Sequence, residues 1–312
     1  MPVPVPRKKE KKSEILELVR KSVRSMSFSS LLPPSYLEEA KAWLAQDCPS
    51  YDIGGFVVGE KVETATLYMK SSGVLCGLAY AEGLIEFMGL SVSWNSSYHE
   101  GDYIDVTSKV SIGVVTGKVK DILHIERTIL NIISRASGVA TAARESVNIA
   151  KASGWSGYVA GTRKTTPGFR NVEKYALIVG GAATHRMDLS QMVMLKDNHI
   201  WSCGSITNAV KKAKSAAGFS MKIEVECQSL EEALEACSAG SDIVMLDNMN
   251  ADVLKEAAKQ IKELFPYVLI EASGGITEHT MAHYMCPQVD IISRGALTQG
   301  YPCLDFSLKI NH

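Results

Sequence analysis

Several common functional signatures are missing from this 312-residue chain. The seven cysteines (Cys48, Cys76, Cys203, Cys227, Cys237, Cys286 and Cys303) are scattered and odd in number, and none belongs to a C-x-x-C pair. That argues against a zinc ribbon or a disulfide framework and suits a reducing compartment, with the cytoplasm expected. No uninterrupted apolar run approaches the roughly 18 residues of a membrane span. A net charge of −1 supplies no global field for gripping nucleic acid or an anionic membrane, so any anion site must be built locally. There is no Walker A lysine loop, no G-x-G-x-x-G opening a helix after a strand, and no G-x-S-x-G elbow. Kinase, dehydrogenase and serine-hydrolase readings therefore lose their main support.

The first residues, Met1 to Lys12, are Pro-rich and then Lys-rich, without the apolar centre of a secretory signal. Arg20, Lys21 and Arg24 among serines would suit a mitochondrial presequence, but Glu10, Glu14 and Glu17 count against it. Residues 1–30 read as a flexible or solvated extension, closed by Leu31-Leu32-Pro33-Pro34.

What is present is an ordinary globular composition, 46% hydrophobic and 21% charged, long enough to bury a large core. Two patterns divide it. Over residues 31–140 the reading is a small α/β domain, with helices at 35–46 and 79–88 and strands at 64–70, 73–76, 92–94, 103–106 and 110–119. A long helix follows over 121–150, with a break or kink expected near Ser137-Gly138. Its first half is apolar on most sides, except that Arg127, Asn131 and Arg135 share one face at i, i+4 and i+8. That stripe is either solvated or it meets an anion or a partner.

Over residues 141–312 strands and helices alternate, which predicts parallel βα units in a barrel-like domain, with a last segment that can return to the first domain. The strands fall at 157–161, 192–195, 221–225, 242–246, 267–270 and 290–292. Ser205 caps one helix. Ser229 with Glu232 forms a capping box for the next, which Gly240 ends. Residues 251–264 and 277–285 read as two more helices.

Chemistry in βα barrels sits at the C-terminal ends of the strands. Arg163, Lys164 and Thr165 follow the first strand, and Lys196 follows the second, with His185 and Arg186 just ahead of it. Glu226 and Asp247 follow the third and fourth. Ser273-Gly274-Gly275 and Ser293-Arg294-Gly295 follow the fifth and sixth. The early cations suit a ligand with more than one carboxylate, because arginine pairs with carboxylate in bidentate fashion. The late Gly-rich turns, each expected to open onto a helix, suit a phosphate. Two carboxylates on neighbouring strands suit Mg²⁺ shared with a pyrophosphate, or sugar hydroxyls. Any one charge at a strand end is ordinarily a solvated loop residue, but six consecutive strand ends with fitting chemistry make that reading improbable. His279 and His283 stand at the i, i+4 spacing of a zinc pair but lack a third ligand. Cys227 has no evident base and reads as core.

In this order and spacing, several motifs resemble the quinolinate phosphoribosyltransferase family. They are Glu126-Arg127-Thr128-Ile129-Leu130-Asn131, Ser137-Gly138-Val139-Ala140-Thr141, Gly161-Thr162-Arg163-Lys164-Thr165-Thr166-Pro167 and His185-Arg186, then Leu195-Lys196-Asp197-Asn198-His199, Glu224-Val225-Glu226, Leu246-Asp247-Asn248 and Ser273-Gly274-Gly275-Ile276. The resemblance covers Leu32 to the C-terminus. It implies an N-terminal α/β sandwich and an open or irregular βα barrel. The implied reaction is transfer of phosphoribosyl from phosphoribosyl pyrophosphate to quinolinate with decarboxylation, with Mg²⁺ and no organic cofactor.

By the same resemblance Arg127, Arg163, Lys164, Thr165, His185, Arg186 and Lys196 hold quinolinate. Glu226, Asp247, Ser273, Gly274, Gly275, Ser293, Arg294 and Gly295 take the phosphoribosyl pyrophosphate. Lys164, Glu226 and Asp247 are the catalytic residues, and Glu226 and Asp247 also take the metal. The minimal unit implied is a homodimer with Arg127 donated across the interface, and eukaryotic members also form hexamers. Neither nucleic acid nor membrane is implied. Leu297-Thr298-Gln299-Gly300 departs from the family's usual Leu-Thr-His-Ser, and Gly180-Gly181-Ala182 from its triple glycine. The competing readings are a nicotinate phosphoribosyltransferase, a phosphate-binding barrel lyase or isomerase, and a catalytically silent scaffold.

Overall fold

A computed structural model describes residues 27–311. Most of the reading of residues 1–30 as an extension falls outside the described residues. Its end is visible, and Phe28–Leu31 form a 3-10 turn in which Phe28 packs against the core. The chain then forms α1 (Tyr36–Asp47), α2 (Ile53–Val58), β1 (Val62–Met69), β2 (Gly73–Val74), α3 (Leu78–Phe87), β3 (Ser91–Trp94), β4 (Tyr103–Ile104), β5 (Val110–Lys118) and α4 (Val119–Ala152). The parallel region follows as β6 (Tyr158–Ala160), α5 (Arg170–Gly180), β7 (Val193–Leu195), α6 (Asp197–Cys203), α7 (Ile206–Ala217), β8 (Ile223–Cys227), α8 (Leu230–Ala239), β9 (Ile243–Asp247), α9 (Ala251–Leu264), β10 (Leu269–Ser273), β11 (Ile291–Ser293) and finally β12 (Phe306–Ile310).

Two sheets organise these elements. The first is antiparallel, in the order β12-β1-β5-β3, so the last strand of the chain pairs with the first, Met69 opposite Phe306 and Ala65 opposite Ile310. The second is parallel, in the order β6-β11-β10-β9-β8-β7. Its strands are buried from both faces, which is why Ile243, Val244, Met245 and Leu246 read as one continuous apolar run. β6 and β7 are its two edges, so the sheet forms an open barrel. Carboxylates help fix the strand starts: Asp242 accepts the Ile223 N–H and Asp290 the Ile270 N–H, each at 2.8 Å. β8 and β10 accordingly run two and three residues further than the pattern of apolar residues predicts, placing Glu226 and Ser273 inside strand ends.

Two expected features are corrected. α4 is a single 34-residue helix without a break at Ser137-Gly138. The Ser137 hydroxyl bridges the Cys76 N–H and carbonyl, so it does not compete with the helix's own ladder. Gly138 is the point where the Pro302 carbonyl crosses so closely that a Cβ would collide with it. The glycine serves packing rather than bending. Residues 277–285 do not form an α-helix either. Thr277 and Thr280 bond to one another through side chains and backbone, and only a 3-10 turn, Met281–Tyr284, follows. His279 and His283 therefore do not share a helical face, and neither belongs to a metal-capable group among the described residues.

Candidate active site

The C-terminal ends of the six parallel strands open into a cleft of about 730 Å³. Arg163, Lys164, His185, Arg186, Lys196, Glu226, Asp247, Ser273, Gly274, Gly275, Ser293, Arg294 and Gly295 all border it. Two expected residues do not. Thr165 faces its own loop, where its hydroxyl lies 3.5 Å from the Arg163 carbonyl and from the Arg170 guanidinium. Arg127 lies away on α4, exposed together with Asn131 and Arg135 as a polar stripe on a helix whose opposite side is buried.

The cation side of the cleft is held unpaired. Among the described residues, only Lys196 of the Arg and Lys side chains bordering the cleft is ion-paired, to Glu226. Arg186 contacts the Met192 carbonyl at 3.3 Å and the Met194 sulfur at 3.5 Å, and among the described residues no carboxylate is ion-paired to it. Burial, and then the nearby Arg163 guanidinium, lower its pKa below the usual arginine range. Two guanidinium groups that repel each other in a partly buried cleft make a receptor for an anion.

His185 has φ of 56°, a left-handed conformation that is uncommon outside glycine. Its Nδ1 accepts the Arg186 N–H at 2.9 Å, which leaves the ring proton on Nε2, 2.9 Å from a Glu271 oxygen. Glu271 is fully buried and also accepts the Ser293 hydroxyl at 2.6 Å. Glu224 lies 3.8 Å from the same ring nitrogen, buried and with neither oxygen hydrogen-bonded. Burial, reinforced by Glu271, pushes its pKa well above the carboxylate range. His185, Arg186 and Glu271 also border a second cavity of about 460 Å³ at the opposite end of the barrel.

The glycine side works through backbone. Gly274 and Gly275 have φ of 93° and 63°, and Asn248 beside them has φ of 55°. A Cβ on Gly274 would strike the Asn248 backbone nitrogen and side chain, so this turn admits only glycine. The turn from β11 is anchored from behind. Arg294 is only 7% exposed and turns its guanidinium away from the cleft, to the Ile276 carbonyl and the Ser146 hydroxyl on α4. The expectation that each turn opens onto a helix is corrected: one leads into the Thr277 and Thr280 turn, the other into a 3-10 turn, Gly295–Leu297. No α-helix dipole backs either turn, so backbone N–H groups there would hold a phosphate without that help.

Several contributors were not legible as site residues. Gln299, at the position where the sequence departs from Leu-Thr-His-Ser, borders the cleft beside Lys164 and Gly295. Thr298 donates its hydroxyl to the Lys164 carbonyl at 2.8 Å. Glu173 and Lys174 lie buried beneath the two cation-bearing loops. Their signal was a charged pair inside the apolar stretch of α5.

The chain matches known proteins over most of its length. The model of the quinolinate phosphoribosyl transferase N-terminal domain matches residues 52–137, and that of the C-terminal domain matches residues 139–309. A nicotinate-nucleotide pyrophosphorylase [carboxylating] of Dictyostelium discoideum is 46% identical over 91% of this chain and 99% of its own length. The Homo sapiens protein of the same name is 46% identical over 90% and 93%. The solved nicotinate-nucleotide pyrophosphorylase of Francisella tularensis superposes with a TM-score of 0.82 at 31% identity, covering 92% of this chain and all of that one.

Proposed function

The chain belongs to the quinolinate phosphoribosyltransferase family and converts quinolinate and phosphoribosyl pyrophosphate to nicotinate mononucleotide, CO₂ and pyrophosphate; from that premise we propose how its residues divide the work. The observation that carries the proposal is the unpaired cation set of Arg163, Lys164 and Arg186, facing backbone turns that can cradle a phosphate.

Quinolinate is a dianion and phosphoribosyl pyrophosphate is more negative still, so their approach in water is repulsive. Arg163, Arg186 and Lys196 take the two carboxylates, with His185 completing the wall behind Arg186. Lys196 exchanges Glu226 for the substrate, which frees Glu226 for the sugar. Lys164 lies over Gly295, between the two ligands. The turns at Ser273-Gly274-Gly275 and Ser293-Arg294-Gly295 receive the 5-phosphate.

Glu226 and Asp247 stand at the ends of adjacent strands, and among the described residues the Asp247 carboxylate has only the Asn248 amide as a partner, at 2.5 Å. Two oxygen donors without a third protein ligand fit Mg²⁺ that takes its remaining ligands from substrate and water. When bound, that ion would supply charge stabilisation to the leaving pyrophosphate.

The pyridine nitrogen attacks the anomeric carbon, the bond to pyrophosphate breaks, and Glu226 or Asp247 stabilises the positive charge that develops on the sugar. In the resulting pyridinium the bond to the 2-carboxylate breaks. Its electron pair remains on C2, next to the positive nitrogen, until a proton replaces the departed CO₂. No protein nucleophile is needed for either step.

The exposed stripe of Arg127, Asn131 and Arg135 supports a homodimer in which Arg127 of the partner subunit completes the quinolinate site, and such dimers can assemble further into hexamers. The test of the whole reading is product release with Mg²⁺ and phosphoribosyl pyrophosphate. Quinolinate should yield pyrophosphate and CO₂ in equal amounts. Turnover of nicotinate would return the pyridine to question.

A further inference from the structure

α5 carries two consecutive charged residues that solvent does not reach: Glu173 is 0% exposed and Lys174 is 1% exposed. Neighbours at i and i+1 on a helix point in different directions, and these two form no ion pair with each other. Each reaches a different loop instead. The Glu173 carboxylate accepts the Thr166 N–H at 2.9 Å and the Thr166 hydroxyl at 2.7 Å, closing the loop that carries Arg163 and Lys164. The Lys174 ammonium donates to the Thr184 carbonyl and, at 3.0 Å, to the Arg186 carbonyl. Those two carbonyls bracket His185, whose left-handed backbone needs surrounding structure to hold it.

A lysine is a poor choice for this place on electrostatic grounds alone. Burial first, then Arg170 on its own helix, Arg163 in the loop after β6 and Arg186 in the loop before β7, all disfavour its charge. Only Glu173 favours it, and its pKa is lowered to about 8. A buried cation among three others is retained here through its two carbonyl contacts.

We propose that Glu173 and Lys174 are positioning residues that set, from inside α5, the separation of the Arg163 and Arg186 guanidinium groups and so the preference of the cleft for two adjacent carboxylates. The proposal rests on the reading that Arg163 and Arg186 bind the substrate's carboxylates. Nothing in it requires either α5 residue to touch a ligand.

The test uses the full-length enzyme with Lys174→Met, Glu173→Gln and, as a mild variant on an exposed residue, Thr166→Ala. The measurements are KM for each substrate, melting temperature, and affinity for benzene-1,2-dicarboxylate against benzoate. Lys174→Met should raise the quinolinate KM by about tenfold or more, as expected when binding groups are misplaced, and leave the phosphoribosyl pyrophosphate KM within about twofold. Its preference for the dicarboxylate over benzoate should shrink by a similar factor. Thr166→Ala should move both quantities in the same direction, by about threefold, because it removes one of the two bonds that Thr166 makes to Glu173. Equal losses for both substrates that track a lowered melting temperature would overturn the proposal, as would unchanged selectivity. Arg163→Ala, run alongside, separates the two failures. If it weakens the dicarboxylate while the α5 variants do not, only the positioning role falls. If it too is silent, the reading of the cleft falls with it.

Discussion

The two sides of the barrel mouth recognise anions by different physics. The side built from the loops after β6 and before β7 uses long, unpaired side chains whose charges repel one another until a ligand arrives. The side built from the ends of β10 and β11 uses backbone, with glycines at φ of 93° and 63° and a buried arginine pinning the turn from behind. Charge on flexible arms gives strong attraction, and its geometry must be imposed from below. A backbone turn carries its own geometry, and it tolerates no side chain where Asn248 closes in on Gly274. One side should therefore fail in proportion to the charge removed, and the other as soon as a Cβ is added.

The largest effect that would sharpen this contrast is Arg163→Ala. It leaves a desolvated carboxylate without its partner, so quinolinate affinity should fall by about 3–5 kcal/mol while phosphoribosyl pyrophosphate affinity is kept. Calorimetric titration with each substrate reads this directly, and equal losses on both would erase the division between the two sides. Next comes Gly274→Ala, which forces an alanine into left-handed backbone and against Asn248. A cost of about 1–3 kcal/mol should appear in phosphoribosyl pyrophosphate binding and leave quinolinate binding alone. Steady-state KM values for the two substrates decide it.

A third experiment asks whether the cation side belongs to one chain. Arg127→Ala and Lys164→Ala subunits, each inactive alone, should recover about one quarter of wild-type activity when mixed to equilibrium. Half the dimers are then hybrids, and each hybrid holds one intact site. No recovery in confirmed hybrids would return Arg127 to a solvated role.

The smallest effect is on stability. Lys174 is lowered from 10.5 to about 8, so between those pH values the unfolded chain keeps a proton that the folded chain has released. This group makes stability rise with pH across that window and fall as pH drops back toward 8. Urea midpoints measured from pH 8 to 10 should climb more in the wild type than in Lys174→Met.

Much of this was legible in the sequence because the relevant signals are periodic or local. Continuous apolar runs marked the parallel strands, caps marked α7 and α8, and the residues following each strand named the cleft. The rest depends on contacts between segments distant in the chain. Nothing near Gly138 announces that Pro302 will cross it, so a glycine in a helix reads as a break. Thr277 and Thr280 look compatible with a helix until their mutual bonds are seen. Glu173 and Lys174 read as two polar interruptions of an apolar helix, since their partners at Thr166, Thr184 and Arg186 are, apart from the Thr166 hydroxyl, backbone groups that any residue supplies. The place of Arg127 cannot emerge from one chain if its ligand belongs to another.

The pairing of β12 with β1 has a consequence for how the molecule comes into being. During synthesis the edge of β1 waits, unsatisfied, while more than two hundred residues, the barrel among them, are made between Met69 and its partner Phe306. An open strand edge of that kind is a template for the wrong neighbour. A closure so distant in sequence is also slow. Loss of the final strand would leave that edge of β1 open in the finished molecule, although the strand is not part of the cleft.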